Sequence, residues 1–550
     1  MRICFLFSAF FLFQTVVAQT NDTITTTDLS KAANIFGISF TPAERDSMLR
    51  EVLDNRTAYA RMRMLPLDNS VPPSIWQQAL LPGMATPAPQ QKVKWNIPSK
   101  LALPANKNEL AFYSVLQLAS LIKHKKISSV ELTRYFIDRI KKYGDTLECV
   151  ITITEDIALQ QAAQADAEIA AGKYRGPLHG IPYGLKDLFA VKGTRTTWGA
   201  APYKEQMIDE DAHVYTKLKD AGAVLVAKFT LGALAMGDWW YGGRTRNPWN
   251  LNYGSSGSSA GSAAATAAGL VPFAIGTETY GSIISPSHTC GATGLRPTFG
   301  SIGRGGAMTL SWSLDKVGPI CRSAEDAAVV FNHLKGKDAS DPASVNMPFN
   351  YTGKAEWQNL RIGYAKNYFD RIRDTTANEY KVLNALKAMG VQLIPLSFPD
   401  SSIYSFDVMG IVIGSESAAA FDAFTRSGLD DQMTRQNRSD WPNSFRAWRF
   451  IPAVEYINAN RHRYLMMRAM DQFFKQVDVL ITPTFLGNQM AITNLTGHPA
   501  LCFPTGVGRS NLPTSITLLG KLFDEATLLA VGKAIQEATG WHNKHPERFR

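Results

Sequence analysis

Residues 254–269 read GSSGSSAGSAAATAAG, a Gly/Ser loop that runs directly into an alanine-rich segment. Alanine favours helix and Gly269 is a typical helix stop, so the stretch predicts a short helix with Ser258 and Ser259 at its start. Serines in that position either cap the helix or carry chemistry. The stretch alone is compatible with both a capping role and a chemical role, and the surrounding sequence is needed to distinguish them.

Two common motifs match this stretch poorly. A nucleotide-phosphate loop needs a Gly-Lys-Ser/Thr ending, and no lysine follows these glycines. Residues 257–261 match the G-x-S-x-G elbow of α/β-hydrolases, but residues 247–253, which precede it, include Pro248 and do not form an apolar strand. A serine esterase of that different fold remains an alternative. The S-x-x-K matches at 120–123 and 313–316 lack the K-T-G and S-D-N motifs that accompany them in penicillin-binding enzymes.

Downstream, the apolar run 270–275 predicts a buried strand, and GTETYGSI at 276–283 predicts the turn that leaves it. Such a turn presents successive backbone N–H groups. These donors can form an oxyanion hole around Ser282, at the end of the turn.

Upstream, residues 176–188 read GPLHGIPYGLKDL, and Lys186 ends an apolar, turn-rich segment instead of lying on a charged face. Lysines are seldom buried without a role. A buried lysine whose pKa is lowered can act as a base. Asp187 is the adjacent counter-charge, but neighbouring side chains on a strand point to opposite faces, so it need not pair with Lys186.

The motifs together, from about residue 110 to residue 540, resemble the amidase signature family, which includes fatty-acid amide hydrolases, peptide amidases and the A-type subunits of the tRNA-dependent amidotransferase. The form Glu-Thr-x-Gly-Ser-Ile resembles the peptide-amidase-like members most. Beside the lysine segment, the motifs stand in the family's order at 245–270, 276–283, 290–308, 313–328, 478–484 and 494–500.

The resemblance implies an amidase that cleaves a carbon–nitrogen amide bond of a small molecule through an acyl-enzyme, without a cofactor or metal. It implies that Ser282 is the nucleophile, that Ser258 follows a cis peptide bond and relays the proton, and that Lys186 is the base. The implied oxyanion hole consists of the backbone N–H groups of Thr279, Tyr280, Gly281 and Ser282.

Three residues depart from the family's commonest pattern: Ala260 and Tyr280 replace glycines, and Ile284 replaces an arginine. These changes affect the shape and charge of the pocket, and above all the recognition of an anionic substrate group. An amidotransferase A-type subunit would share the triad but work in the cytoplasm with a partner. A binding protein without activity would be expected to lose a triad residue, and none is lost.

The chain has 550 residues, of which 45% are hydrophobic and 19% charged, enough for a large core. Short apolar runs alternate with helical patterns, which predicts an α/β fold with a mixed sheet covered by helices on both faces. Further strands are expected at 223–227, 360–364, 391–396 and 477–482, and amphipathic helices over about 115–122 and 130–140. Although the net charge is +10, basic residues are dispersed along the chain, so no nucleic-acid partner is expected.

The N-terminus carries an apolar run from residue 3 to residue 17 that ends in Val-Ala before Gln19. This predicts a signal peptide over 1–18 and a secreted or periplasmic protein. The run is shorter than the ~20 residues of a membrane-spanning helix, so no membrane anchor is expected after cleavage.

Residues 19–105 are expected to form an N-terminal extension, and 106–550 the catalytic domain. Within the extension, Thr41-Pro42-Ala43-Glu44 predicts a helix start with a capping box, and a proline-rich stretch follows. The mature chain keeps four widely spaced cysteines without a C-x-x-C pair, so buried free thiols are expected and a metal site is not.

Overall fold

The structure is a computed structural model of the chain. It describes residues 24–400 and 405–550, except 63, 65–66, 72–74, 76 and 85–87. The predicted signal peptide, residues 1–18, lies outside the described residues. The chain divides into two compact units at Leu67/Asp68. The proposed domain boundary at residue 105 stays a prediction.

Among its described residues, the small unit has the helices α1 (Thr26–Ile35) and α2 (Pro42–Met62). The capping box predicted before α2 is present. The N–H of Glu44 donates to Thr41 Oγ1 (3.3 Å), and the N–H of Thr41 donates to Glu44 Oε2 (2.6 Å). Each residue satisfies a backbone donor that the first turn leaves free, which fixes where the helix begins.

The larger unit is an α/β fold. Its helices are α3 (Val115–Lys123), α4 (Ser129–Leu147), α5 (Glu155–Ala170), α6 (His213–Asp220), α7 (Ala260–Ala267), α8 (Ile284–Cys290), α9 (Ala324–Leu334), α10 (Lys366–Phe369), α11 (Asn378–Ala388), α12 (Ser405–Ala420), α13 (Asp422–Arg426), α14 (Trp441–Trp448), α15 (Ala453–Phe474), α16 (Gln489–Thr496) and α17 (Glu525–Thr539). Its strands are β1 (Val150–Ile153), β2 (Pro182–Lys186), β3 (Val224–Phe229), β4 (Trp239–Trp240), β5 (Gly243–Arg244), β6 (Ala274–Glu278), β7 (Thr293–Arg296), β8 (Lys316–Cys321), β9 (Ile362–Ala365), β10 (Leu393–Leu396), β11 (Val479–Pro483), β12 (Ala500–Val507) and β13 (Pro513–Gly520).

Eleven strands form one mixed sheet in the order β1-β3-β2-β6-β8-β7-β12-β13-β11-β9-β10, flanked by helices. The mixed α/β architecture predicted from the sequence is confirmed. Strand β2 is parallel to both β3 and β6. The carboxyl ends of parallel strands meet at one edge of a sheet, where ligands commonly bind. Lys186 ends β2 and Glu278 ends β6, so this edge brings the lysine segment and the GTETYGSI turn together.

The strand predicted at 270–275 was placed too early, because β6 begins only at Ala274. The N–H of Leu270 still donates to the carbonyl of Ala265 in α7, and Gly269 adopts a left-handed φ of 65°. The apolar residues at 270–273 are therefore buried as the end of a helix and a turn, and only the Phe273 carbonyl at the end of this stretch accepts from β2, from the N–H of Gly184 at 3.3 Å, among the described residues. The other predicted strands are found with shifts of one or two residues at their ends.

Four cysteines, Cys149, Cys290, Cys321 and Cys502, are free and buried, as predicted. In the part of the chain that the structure describes, no cluster of three or more His, Cys, Asp or Glu could hold a metal ion. Among the same residues, each helix is too short or too polar to cross a bilayer.

Candidate active site

The side chain of Lys186 is fully buried at the end of β2. Its Nζ lies within hydrogen-bond distance of Ser258 Oγ, at 2.8 Å, and of Ser259 Oγ, at 3.1 Å. Thr277 Oγ1 and the Thr277 carbonyl oxygen lie 2.9 and 3.4 Å from the same nitrogen. All four neighbours are uncharged oxygens. A neutral amine has two N–H donors and one lone pair, so it can accept from a serine hydroxyl and still donate to two of the other oxygens.

The two serines lie where the Gly/Ser loop enters α7. The peptide bond between Gly257 and Ser258 is cis, as the family resemblance implies. The interpretation of Ser259 as a side-chain cap is wrong, because its hydroxyl makes no cap hydrogen bond. It donates instead to the carbonyl of Thr277 (3.1 Å) and accepts from the N–H of Thr277 (3.2 Å). Ser259 thus joins the helix start to β6.

The turn after β6 carries Ser282, and Gly281 adopts a φ of 86° there, which favours glycine. The carbonyl of Ser282 accepts from the N–H of Ser259 (3.2 Å), so the turn lies against the helix start. Within the described chain, the Ser282 and Ser258 hydroxyls do not hydrogen-bond to each other. Catalytic hydrogen bonds are often long without substrate.

The backbone N–H groups of Thr279, Tyr280, Gly281 and Ser282 donate no hydrogen bond to any described residue. Backbone donors with no internal partner are rare unless they are exposed to solvent or to a ligand. Four in succession beside a serine can stabilise the negative charge of a tetrahedral intermediate.

Glu278 fixes this turn from inside the protein. Its Oε2 accepts from the N–H groups of Ile283 (2.8 Å) and Ile284 (2.9 Å). Its Oε1 accepts from the Arg296 guanidinium and from the amide of Asn494, at 2.8 and 2.9 Å. Burial opposes ionisation of Glu278, yet Arg296 and these donors hold its pKa below the usual value. The sequence analysis missed this residue, although the motif GTETYGSI contains it.

Asp315 also contacts the turn. Its Oδ1 accepts from Thr279 Oγ1 at 2.6 Å, and its Oδ2 accepts from the N–H groups of Leu310 (2.8 Å) and Ser311 (3.0 Å). Burial raises the pKa of Asp315 above its usual value. A cavity of about 220 Å³ opens here, and Thr277, Thr279 and Asp315 line it.

Burial lowers the pKa of Lys186 to about 7, while Asp315 and Glu278 act in the opposite direction. Asp187 is directed elsewhere, because its carboxylate pairs with Lys228 Nζ at 2.8 Å and accepts from the N–H of Thr197, also at 2.8 Å. A substantial fraction of Lys186 is therefore uncharged at neutral pH, as a general base must be.

The three departures from the family pattern surround the same turn. Ala260 begins α7 and is buried, Tyr280 is exposed, and Ile284 is buried in an apolar cluster with Ile492. Ile284 thus presents a methyl-rich side chain where the resemblance leads one to expect a guanidinium.

A model of the family described as Amidase matches residues 131–493, which include Lys186, Ser258 and Ser282. The chain belongs to the amidase signature family. Among its relatives is the A-type subunit of the glutamyl-tRNA(Gln) amidotransferase from Coxiella burnetii, which is 34% identical over 79% of this chain and 99% of its own length. The corresponding protein of Acinetobacter baumannii is 33% identical over 78% of this chain and 97% of its own length.

The amidase signature fold also appears in the structural comparison. The structure of native peptide amidase from Stenotrophomonas maltophilia is similar, with a TM-score of 0.71 and 28% sequence identity. The match covers 79% of this chain and 98% of the peptide amidase. The fold expected from the motifs is thus that of the family.

Proposed function

We propose that this amidase signature protein is an exported serine hydrolase that converts an amide and water into a carboxylic acid and an amine. The observation that carries the proposal is the buried contact between Lys186 Nζ and Ser258 Oγ at 2.8 Å, next to the turn that carries Ser282. A base, a relay and a serine beside free N–H donors are the parts that nucleophilic acyl transfer needs.

In the acylation step, Ser282 Oγ attacks the carbonyl carbon of the amide. Its proton passes to Ser258 Oγ, and the proton of Ser258 passes to neutral Lys186. The N–H groups of the 279–282 turn hold the carbonyl oxygen as it becomes negative, an effect worth about 3–4 kcal/mol for one donor in other hydrolases. The carbon–nitrogen bond breaks as Ser258 protonates the nitrogen and regains a proton from Lys186.

Water then hydrolyses the acyl-enzyme along the same path in reverse. It loses a proton through Ser258 to Lys186 and attacks the ester carbon. The bond to Ser282 Oγ breaks, Ser282 recovers its proton, and the acid leaves. Lys186 ends neutral, ready for the next cycle.

The test uses the purified chain alone with a panel of peptide amides, aryl acylamides, fatty amides and simple amides. We expect release of acid and amine, loss of turnover in Ser282→Ala with an unchanged circular-dichroism spectrum, and labelling of Ser282 by a fluorophosphonate probe. Labelling at Ser259 with an active Ser282→Ala variant would overturn the assignment of Ser282 as the nucleophile.

A second candidate is an amidotransferase A-type subunit, which the 34% identity to proteins of that name favours. Such a protein passes ammonia to an acceptor. Steady hydrolysis by the chain alone, without acceptor or partner, supports the hydrolase. Hydrolysis that requires a partner chain supports the amidotransferase.

Export rests on the apolar run at 3–17 before Gln19. N-terminal sequencing of secreted or periplasmic protein is expected to begin near Gln19. A cytoplasmic chain that retains residues 1–18 would overturn this part of the proposal.

A further inference from the structure

The side chain of Thr279 makes a contact that the proposed mechanism does not use. Its hydroxyl donates to Asp315 Oδ1 at 2.6 Å, and both residues line the cavity beside the turn. Threonine is branched at Cβ, so a fixed hydroxyl also fixes the first side-chain torsion and narrows the choice of backbone conformation. The hydrogen bond therefore restrains the backbone N–H of Thr279, the first of the four proposed oxyanion donors.

The Asp315 carboxylate is itself held by a closed turn of the chain. Its Oδ2 accepts from the N–H groups of Leu310 (2.8 Å) and Ser311 (3.0 Å), and the N–H of Asp315 donates back to the Ser311 carbonyl at 3.0 Å. Hydrogen bonds to an ionised carboxylate are stronger than those between neutral groups. Asp315 is therefore a fixed anchor for Thr279.

Two helices hold this closed turn from behind. Glu416, on α12, accepts from Ser311 Oγ at 2.6 Å and from the N–H of Ser313 at 2.9 Å. Arg463, on α15, donates to the Ser313 carbonyl at 2.7 Å. Glu416 and Arg463 are both buried, and a satisfied buried polar network is rigid. A continuous set of contacts thus runs from the two helices to Thr279.

We propose that Asp315 is a positioning residue that sets the direction of the Thr279 N–H through the Thr279 hydroxyl. The inference rests on the proposed hydrolase, in which this N–H is a donor to the developing oxyanion. Glu278 holds the other end of the turn through the N–H groups of Ile283 and Ile284, so a carboxylate fixes each end. Such donors stabilise the transition state only when they point at the oxyanion position, so loss of the contact lowers kcat and leaves KM.

The experiment compares Thr279→Val, which replaces the hydroxyl by a methyl group, with Thr279→Ser, which keeps the hydroxyl. On an amide that wild type hydrolyses, Thr279→Val is expected to lower kcat about 10- to 100-fold and to keep KM within about twofold. Thr279→Ser is expected to recover most of this loss. Thr376→Val is the matched control, because it removes an exposed Thr–Asp hydrogen bond of the same length, 2.6 Å, and leaves kcat unchanged.

A double-variant cycle tests whether Asp315 acts through Thr279. Asp315→Asn is expected to lower kcat much more in wild type than in Thr279→Val, where the hydrogen bond is already absent. Equal reductions in the two backgrounds would show that the residues act independently, and would overturn the proposal. A rise in KM with unchanged kcat in Thr279→Val would also overturn it, because the hydroxyl would then contact the substrate directly.

A second readout does not require amide turnover. The rate at which a fluorophosphonate labels Ser282 is expected to fall in Thr279→Val and to recover in Thr279→Ser, because the phosphonyl oxygen uses the same donors. Unaltered kcat and labelling in Thr279→Val overturn the positioning role and leave the hydrolase intact. If wild type cleaves no amide but is labelled, the hydrolase fails and the labelling rates decide the positioning role by themselves. A wild-type protein that is neither active nor labelled overturns both proposals.

Discussion

Two buried lysines on neighbouring strands have opposite surroundings. Lys186, at the end of β2, contacts only uncharged oxygens. Lys228, on β3, pairs with the Asp187 carboxylate at 2.8 Å and donates to Thr196 Oγ1 and the Arg195 carbonyl, both at 2.6 Å. Burial lowers the pKa of both side chains, but at Lys228 Asp187 directly opposes this effect. The difference teaches that the partner, more than burial, decides whether a buried lysine is a structural cation or an available base.

Of the variants that compare the two lysines, Lys186→Met is expected to have the largest effect, because it removes the proposed base. We expect kcat to fall about 10²–10⁴-fold, with part of the loss recovered at high pH as hydroxide replaces the base. Single-turnover rates from pH 6 to pH 10 measure this. Lys204→Met, at an exposed lysine, is the control. Near-wild-type turnover of Lys186→Met at pH 7 would exclude the mechanism.

The pH dependence of stability gives a second test of the Lys186 pKa. Lys186 has a pKa of about 7 in the folded chain and about 10.4 when unfolded, so the unfolded state binds the extra proton between these values. The free energy of unfolding of wild type therefore gains from this group as pH rises from 7 toward 10. Urea unfolding at several pH values is expected to show that Lys186→Met lacks this gain.

Lys228→Met tests the other lysine. It leaves the Asp187 carboxylate buried without its cation, and breaking a buried pair in this way costs about 3–5 kcal/mol. The double variant Lys228→Met/Asp187→Asn removes both charges and is expected to recover much of the stability. Chemical denaturation measures both. If the single and double variants are equally unstable, the effect comes from packing and the pair has no special electrostatic role.

The pH dependence of kcat/KM in the wild-type enzyme tests the difference between the two lysines further. Because the proposed mechanism uses neutral Lys186, we expect kcat/KM to fall about tenfold per pH unit below an acidic limb near pH 7. In Lys228→Met the Asp187 carboxylate has lost its cation. Its negative charge, on the residue next to Lys186, favours the protonated form of Lys186 and shifts the acidic limb of kcat/KM to higher pH. A wild-type profile that rises steadily to pH 10 would show that Lys186 keeps an ordinary pKa.

The sequence predicted those features of the site that depend on a short, continuous stretch of residues. The helix after Ser259, the turn that carries Ser282 and the buried position of Lys186 each follow from a short stretch of residues. The contact between Lys186 and Ser258 joins residues that are 72 positions apart. It depends on β2 lying parallel to β6, which spacing alone does not reveal. The family resemblance supplied that link.

Other features were not predicted because they also depend on contacts between residues that are distant in sequence. Glu278 and Arg296 meet because β6 and β7 both pair with β8, and neither residue looks unusual in its own stretch. The strand expected at 270–275 was misplaced because an apolar run has the same composition whether it pairs as a strand or ends a buried helix.

The smallest effect is expected at Ser259, whose hydroxyl also touches Lys186, at 3.1 Å against 2.8 Å for Ser258. If Ser259 only anchors the helix start to Thr277, Ser259→Ala removes hydrogen bonds worth about 1 kcal/mol each and lowers kcat by no more than about tenfold. Lys186 keeps its bonds to Ser258 and Thr277 in this variant, so its acidic limb stays near pH 7. Ser258→Ala, by contrast, breaks the path between Ser282 and the base and is expected to lower kcat far more. Parallel kinetics of the two variants decide which serine relays the proton. Equal losses would mean that both hydroxyls belong to the relay, because the two serines would then be equivalent partners of one lysine.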